Sequence, residues 1–580
     1  MVLAAGFTAV SENGQTPGPI RATIGPFAGT GPLSGPATPA GTVRMQIDSD
    51  LCYRALTSRD VRFDGHFFTA VRTTGIYCRP ICPARTPRRK NVTFYPSAAA
   101  AERAGYRACR RCRPDSSPGS PEWYGTSGIV SRGLRMIHGG ALDRGSVADL
   151  SERLGVGERH LARLFLEHLG TSPGAVARTR RVHFARKLID ETDLPMSDVA
   201  AGAGFSSIRR FNAAVKQGFG KSPSELRDQA ARLRPASAAP LELRLSYRPP
   251  LDWQAMLAYL TVRSTPGVEE VHSGAYRRSV ACDDGPGVIE VSQADRPNAL
   301  MLRAWLPSAR TTLGVVERVR NQFDLLADPA VVEAHLGRDP LLRPVIRRHP
   351  GLRVPGAWDG FELAVRAILG QQVSVKGATT IAGRLAERIG RPLPSELRRG
   401  SLTTMFPDAA ALSVANLDRL GMPGRRVKAV RELARAVHDG ELDLGPAADA
   451  EATRERLCAL PGIGTWTADY VAMRALRQPD AFPSGDLGLR KAAEWGGRVP
   501  SATDLERRAE RWRPWRAYAA VYLWGRLRRI EAGRGGKKER QGMEDRSDAS
   551  SLRADSQSRG PVAARRRFRR SGGDPVRDRP

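Results

Sequence analysis

Two close pairs of cysteines constrain the fold of this chain more than any other feature. Cys78 and Cys82 form one pair, and Cys109 and Cys112 form the other. Four thiolates at this spacing are what a tetrahedral zinc site requires, so we expect one bound Zn²⁺. Seven cysteines in 580 residues are too few for a disulfide scaffold, which favours a reducing compartment. We interpret the remaining three as ordinary core cysteines: Cys52, Cys282 and Cys458.

The net charge predicts a polyanionic partner. The chain carries 91 Lys and Arg against 60 Asp and Glu, a formal charge of +31, of which residues 531–580 contribute only +6. Basic surfaces gain affinity for nucleic acid by releasing condensed counterions, so double-stranded DNA is the expected partner. An anionic membrane surface is the alternative, but no basic amphipathic helix or lipidation signal supports it. With no long apolar run and no signal peptide, we expect no membrane partner and a cytoplasmic, nucleoid-associated location.

Composition and hydrophobic period divide the chain into segments. Linkers rich in Ser, Pro, Gly and Ala stand at 116–121 and 235–240. The apolar period is helical between these linkers, alternates as in strands after Leu241, and is helical again beyond about Leu313. We predict a multidomain, mainly α protein with these parts: a disordered leader at 1–44, a small α/β zinc domain at 45–118, an all-α domain at 122–234, a small α/β domain at 241–313, an all-α domain at 314–530 and a disordered basic tail at 531–580.

The sequence around the first cysteine pair is more specific than the spacing alone. Residues 67–80 read FFTAVRTTGIYCRP, and the segment from about Asp60 to Asp115 resembles the N-terminal domain of the Ada family of DNA-alkylation repair and response proteins. The resemblance implies that Cys78 accepts a methyl group from a DNA methylphosphotriester. A purely structural zinc is the alternative. The Pro-Cys-His-Arg motif of that family's second methyltransferase domain is absent, so reversal of O6-methylguanine is not expected.

The first all-α domain contains two helix-turn-helix patterns. Each has a short helix, a turn with glycine and a second helix with an apolar stripe, at about 146–165 and 196–212. With GKSP at 220–223, the pair resembles the AraC-type DNA-binding domain over about 132–227. For each charged side chain a solvated face is the alternative to a DNA contact. The resemblance implies that these residues lie on or near recognition helices in successive major grooves: Arg159, His160, Arg163, Ser207, Arg209 and Arg210.

The clearest catalytic pattern lies towards the C-terminus, where residues 460–470 read LPGIGTWTADY. Gly462 and Gly464 enclose an aliphatic residue in a tight hairpin, and Thr465 opens a helix. Backbone N–H groups at such a helix start can hold a phosphate without regard to base sequence. We therefore predict a helix-hairpin-helix DNA contact that includes Gly462, Gly464 and Thr465.

Further residues place this hairpin in a family. Asp486 follows it, and WRPW stands at 512–515. Together, residues from about 241 to 525 resemble the DNA glycosylases of the helix-hairpin-helix superfamily, in particular the AlkA-like 3-methyladenine glycosylases. The resemblance implies that the Asp486 carboxylate stabilises the sugar cation or activates water as the N-glycosidic bond breaks. An aspartate that only caps a helix is the alternative.

The resemblance also implies a base pocket. Trp466, Tyr470 and Trp524 match its aromatic positions, and an electron-rich ring face attracts a cationic alkylated purine. Core packing is the alternative for each ring. Trp466 stands where bifunctional relatives carry a Schiff-base lysine, so we expect a monofunctional enzyme. Gln372 stands where the best-known relative has a leucine that wedges into DNA, and no cysteine quartet for an iron–sulfur cluster follows the hairpin.

Two functions follow from these patterns. The first is a DNA-3-methyladenine glycosylase whose N-terminal half helps it to engage damaged DNA. The second is a transcription activator of the adaptive response, triggered by methylation of Cys78, with little glycosylase activity. Both bind double-stranded DNA at alkylated sites and at a promoter, and RNA polymerase is a candidate partner of the activator.

Overall fold

The computed structural model of the chain describes residues 48–112, 114, 128–231, 240–446, 448–494 and 497–527. The predicted leader at 1–44 and tail at 531–580 lie outside these ranges. The described residues up to Trp524 form one compact unit. Within the described ranges, no helix is both long enough and apolar enough to span a membrane.

A four-stranded sheet brings the two cysteine pairs together. Its strand order is β3-β1-β2-β4, and β2 and β4 run parallel, with Tyr77 opposite Ala108. Parallel neighbours end at the same edge of a sheet, so Cys78 at the end of β2 and Cys109 directly after β4 meet there. The elements of this zinc unit are α1 (Ser49–Ser58), β1 (Phe68–Val71), β2 (Ile76–Cys78), β3 (Val92–Tyr95), α2 (Ala98–Arg103) and β4 (Arg107–Ala108).

Eight helices form the domain with the two helix-turn-helix patterns. The 19-residue α7 joins them, and it begins with a Ser172 cap and Pro173 in its first turn. Both turns have a left-handed glycine, Gly155 at φ +70° and Gly204 at φ +80°. The helices are α3 (Gly128–His138), α4 (Ala141–Arg144), α5 (Val147–Arg153), α6 (Glu158–Leu169), α7 (Pro173–Glu191), α8 (Met196–Gly202), α9 (Ile208–Phe219) and α10 (Pro223–Ala231).

The alternating segment forms an antiparallel five-stranded sheet of order β5-β9-β8-β7-β6. Alternate side chains of β5, such as Leu243 and Leu245, are fully buried, as the sequence pattern predicts. The helix α11 (Trp253–Thr261) packs on this sheet. The elements are β5 (Leu241–Ser246), α11 (Trp253–Thr261), β6 (Glu269–His272), β7 (Ala275–Cys282), β8 (Gly285–Gln293) and β9 (Ala299–Trp305).

The remainder of the described chain is helical. α15, α16, α18, α19 and α20 enclose one apolar core around Ile368, Leu433 and Val471. The helices are α12 (Thr312–Gln322), α13 (Pro329–Leu336), α14 (Arg343–Arg348), α15 (Gly360–Leu369), α16 (Val375–Ile389), α17 (Ala409–Val414), α18 (Gly424–His438), α19 (Ala450–Ala459), α20 (Thr465–Arg474), α21 (Leu487–Ala492), α22 (Ala502–Ala509) and α23 at 516–527.

Buried polar contacts join the zinc unit to the C-terminal half. Arg248 is 1% exposed, and its guanidinium donates to the carbonyls of Asp64 (3.1 Å) and Leu326 (2.9 Å). His66 Nε2 lies 2.9 Å from Asp328 Oδ2 in the same interface. Since these groups are shielded from water, the interface depends on their mutual pairing.

We expect Arg248→Ala to lower the free energy of unfolding by about 2–3 kcal/mol, because it leaves buried carbonyl oxygens without donors. The midpoint of the first transition in urea denaturation measures this. Arg507→Ala, which removes a guanidinium exposed on α22, should leave that midpoint unchanged. Equal midpoints for the two variants would contradict the structural role of Arg248.

Candidate active site and metal centre

Three aromatic side chains surround the carboxylate of Asp486. The Trp466 and Tyr470 rings stack, with centroids 5.5 Å apart and planes 16° from parallel, because one helical turn of α20 separates them. Trp524 on α23 meets Tyr470 edge-on at 6.3 Å. All three rings are half-buried and line one cleft together with Asp486. The structure thus brings together the four residues that the sequence assigned to one pocket.

The carboxylate of Asp486 is held by three hydrogen bonds. The Trp466 indole N–H donates to Oδ2 (3.1 Å), and the Trp524 indole N–H donates to Oδ1 (3.1 Å). Oδ1 also accepts from the backbone N–H of Leu489 (2.8 Å), so Asp486 caps α21. The capping alternative therefore describes a real contact, but a cap alone does not require two indole donors from separate helices. These donors fix the orientation of a negative charge beside the aromatic stack.

The cleft also contains polar residues that sequence analysis missed. The Tyr259 hydroxyl lies 3.1 Å from the Tyr470 hydroxyl, which also accepts a 2.5 Å hydrogen bond from Arg474. Carbonyls of Pro355 and Gly356 hold the buried Arg474 guanidinium in place. Arg474 follows Tyr470 by four residues on one helix, a spacing that could have predicted their contact. Tyr259 comes from α11 in the other domain, and no local pattern points to it.

Nearby charges in the cleft shift the pKa of the Tyr470 hydroxyl. Burial raises the pKa of its hydroxyl, but the positive charges of Arg474 and Arg263 outweigh burial, and the net effect lowers that pKa below its ordinary value. Arg366 also lines the cleft, and it pairs with Glu269 (2.8 Å) and Glu362 (3.0 Å). Nearby cations therefore stabilise negative charge on the Tyr470 oxygen.

The predicted hairpin lies directly between α19 and α20. Gly462 has φ +82°, and a Cβ there would be 3.0 Å from the Ala429 Cβ, so both conformation and space require glycine. Gly464 is the N-cap of α20, and Gly462, Gly464 and Thr465 are exposed. Their N–H groups stand at a free helix start, as phosphate binding requires. DNA contact at these residues stays a prediction.

The candidate wedge, Gln372, lies at the rim of the cleft. It follows Gly370 and precedes Val373, both of which line the cleft, and its own side chain is exposed. The preceding Gln371 donates from its amide to the carbonyl of Gly462 (3.0 Å). Gln372 is thus placed between the aromatic cleft and the hairpin, and its role as a wedge in DNA stays a prediction.

The four predicted zinc ligands form one cluster. Their Sγ atoms all lie within 4.8 Å of one another, near the edge length of about 3.8 Å that a tetrahedron with Zn–S bonds of about 2.3 Å requires. Cys82, Cys109 and Cys112 are buried, whereas Cys78 is half-buried. Four sulfur donors on a small sheet fit zinc, and Cys78 is the ligand that another molecule could reach most easily.

The residues on either side of Cys78 contact different parts of the protein. The Tyr77 hydroxyl donates to Glu102 Oε1 (2.8 Å) and lies 3.0 Å from Nε2 of His183 on α7. Arg79 pairs with the buried Asp64, whose carbonyl accepts from Arg248. The backbone N–H of Arg79 also donates to Cys112 Sγ (3.3 Å), which supports the cluster from outside it.

The predicted base-reading side chains lie on the second helix of each helix-turn-helix. Arg159 and Arg163 are exposed on α6, and Arg209 and Arg210 are exposed in the first turn of α9. The Ser207 hydroxyl caps α9 by accepting from the N–H of Arg210 (3.2 Å). These positions are compatible with groove contacts, although the bases they would meet remain predictions.

Family models match four successive parts of the chain. They are the metal binding domain of Ada at residues 51–115, a helix-turn-helix domain at 150–229, the AlkA N-terminal domain at 242–359 and the HhH-GPD superfamily base excision DNA repair protein at 365–517. These matches confirm the predicted multidomain, mainly α fold class. They include every family that the sequence motifs indicated.

Relatives of the chain with known names agree with these family matches. A Mycobacterium tuberculosis protein named "Probable bifunctional transcriptional activator/DNA repair enzyme AlkA" is 44% identical over 486 residues, covering 83% of this chain and 97% of the relative. "DNA-3-methyladenine glycosylase 2" of Escherichia coli is 36% identical over 289 residues, covering 48% of this chain and 95% of that protein. The 3-methyladenine DNA-glycosylase structure from Archaeoglobus fulgidus aligns with 49% of this chain and 98% of its own at a TM-score of 0.44 and 24% identity. The 44% identity to the Mycobacterium tuberculosis protein, over 97% of its length, shows that the chain belongs to the family of bifunctional transcriptional activators and DNA repair enzymes of the AlkA type.

Proposed function

We propose that this protein excises alkylated purines such as 3-methyladenine from duplex DNA as a monofunctional glycosylase, with Asp486 as its catalytic carboxylate. The observation that carries the proposal is the Asp486 carboxylate, held by the Trp466 and Trp524 indole N–H groups at the edge of an aromatic stack. The flipped base lies in the cleft, and the sugar lies against the carboxylate.

The reaction needs little from the protein beyond charge and position. The alkylated purine already carries a positive charge and leaves with the electrons of the N-glycosidic bond. Asp486 stabilises the sugar cation, and it takes the proton of the water whose oxygen bonds to C1′. No lysine is found among the described residues that line the cleft, in agreement with hydrolysis without an imine.

Two features of the cleft favour a cationic base. The Trp466 and Tyr470 ring faces attract a cation through their quadrupoles. Arg474 donates to the Tyr470 hydroxyl, and its charge stabilises negative charge on the Tyr470 oxygen. This arrangement offsets part of the repulsion that buried arginines would otherwise exert on the substrate.

Asp486→Asn should reduce release of 3-methyladenine from methylated duplex DNA by about 10²–10⁴-fold, because the charge is lost while an asparagine oxygen still caps α21. Free base is measured by chromatography of the released fraction. Asp408→Asn is the matched control, since Asp408 caps α17 with the same contact, to Ala411 N (2.8 Å), outside the cleft. Equal activity in both variants would exclude the catalytic role of Asp486.

We further propose that the zinc unit holds one Zn²⁺ and that Cys78 accepts a methyl group from a methylphosphotriester. Bound zinc would keep the four sulfurs ionised at neutral pH. Cys78 Sγ then bonds to the methyl carbon as the methyl C–O bond breaks, and the phosphodiester leaves as an anion. The four thiolates lose one negative charge in this step, which weakens their repulsion of DNA phosphates and strengthens binding.

Exposure of the protein to DNA that contains methylphosphotriesters should add one methyl group per chain, on the peptide that contains Cys78. Peptide mass spectrometry locates the methyl group, and metal analysis should give about one zinc per chain. Removal of zinc with a chelator should abolish the transfer. Cys52 is an internal control, because burial raises its pKa to about 12 and it should stay unmodified. Methylation of another cysteine in place of Cys78 would overturn the assignment.

The helix-turn-helix pair adds a regulatory function to this proposal. We infer that α6 and α9 read a promoter, and that RNA polymerase is recruited there within the nucleoid. The exposed arginines of both helices favour promoter reading. An activator with little glycosylase activity remains the second candidate. Under that reading, Asp486→Asn protein would retain full methylation-dependent promoter binding in a footprinting assay, and the wild type would release little base.

A further inference from the structure

The loop between α15 and α16 holds Gln372 in a conformation that glutamine rarely adopts. Its φ is +57°, in the left-handed region, which costs a residue with a Cβ on the order of 1 kcal/mol. The loop is fixed directly before this strained residue, at Gln371. The Gln371 amide donates to the Gly462 carbonyl (3.0 Å) and the Thr467 hydroxyl (3.2 Å), and Arg426 donates to the Gln371 carbonyl. Gln372 is therefore directed outward by a loop that is tied to the DNA-binding hairpin.

A second side chain fixes the orientation of the Gln372 amide. Arg425, exposed in the first turn of α18, donates from Nη2 to Gln372 Oε1 at 2.6 Å. With its oxygen engaged by a cation, the amide presents its NH₂ group to solvent, beside the other N–H groups of Arg425. The pair thus forms a small surface with hydrogen-bond donors only. A leucine, or an unpaired glutamine, would present no such surface.

We propose that Gln372 and Arg425 together read the base left unpaired on the opposite strand after the damaged nucleotide is flipped. This inference rests on the proposed excision of a flipped base. Cytosine has two adjacent acceptors, N3 and O2, on its pairing edge, whereas thymine has a donor at N3 between its two acceptors. Two neighbouring donors therefore match cytosine. The pair makes the enzyme favour lesions opposite cytosine, which are those derived from guanine.

Binding to a product-like duplex tests this reading without relying on catalysis. The probe is a duplex with a tetrahydrofuran abasic-site analogue placed opposite cytosine, thymine or adenine. Wild type should bind the cytosine duplex about 5- to 100-fold more tightly than the thymine duplex, the discrimination typical of a good two-point base contact. The measured quantity is the Kd for the thymine duplex divided by the Kd for the cytosine duplex. Changes in overall DNA affinity cancel in this ratio.

Gln372→Leu should bring this ratio close to one and retain binding, because leucine still fills the gap between the bases. Arg425→Ala should lower the ratio as well. Arg435→Ala is the matched control, since Arg435 is exposed on the same helix and pairs with Glu432 away from the loop. It should keep the wild-type ratio.

Two results would overturn the proposal. One is a wild-type ratio near one. The other is a wild-type ratio that Gln372→Leu retains, which would show that Gln372 fills the gap without reading the opposite base. A wild type that distinguishes the opposite bases but releases no 3-methyladenine would instead contradict the proposed excision alone.

Discussion

Buried arginines that donate to backbone carbonyls hold the C-terminal half of this protein together. Arg353, which is 3% exposed, donates to the carbonyls of Asp324, Ala327, Arg248 and Pro250. Arg248 and Arg474 use carbonyl acceptors in the same way. Each guanidinium has up to five donors in a rigid plane. It can therefore donate to several loop carbonyls that are not hydrogen-bonded within a strand or helix. These contacts connect the sheet domain, the zinc unit and the floor of the aromatic cleft.

The same interactions explain why the aromatic cleft can form between two domains. Tyr259 comes from the α/β domain, whereas Tyr470 and Asp486 come from the helical domain. A cleft with walls on separate domains keeps its shape only if the domains do not move apart. The carbonyls of Pro355 and Gly356, held by Arg474, lie in the segment that joins the two, so the group that polarises Tyr470 also fixes the domain connection.

Local motifs allowed much of the site to be predicted from sequence. The cysteine spacing, the glycine hairpin and the Trp466–Tyr470 pair each depend on neighbours within a few residues, and the structure places them as expected. The partners that lie far away in sequence were missed. Tyr259 is separated from Tyr470 by 211 residues, and the left-handed Gln372 is determined by a hairpin about 90 residues later. Nothing in the local pattern of either residue indicates the contact, because tertiary packing decides it.

Cys78 ends a strand, and its two neighbours in sequence contact different partners: Tyr77 contacts His183 of the helix-turn-helix domain, and Arg79 pairs with the buried Asp64 of the zinc unit. A thioether formed there has no leaving group that the protein could expel, so methylation of Cys78 would last for the lifetime of the chain. The amount of methylated protein would then reflect the total damage repaired in the past rather than the damage present in the DNA at one time. Only growth and new synthesis would return the population to its starting state.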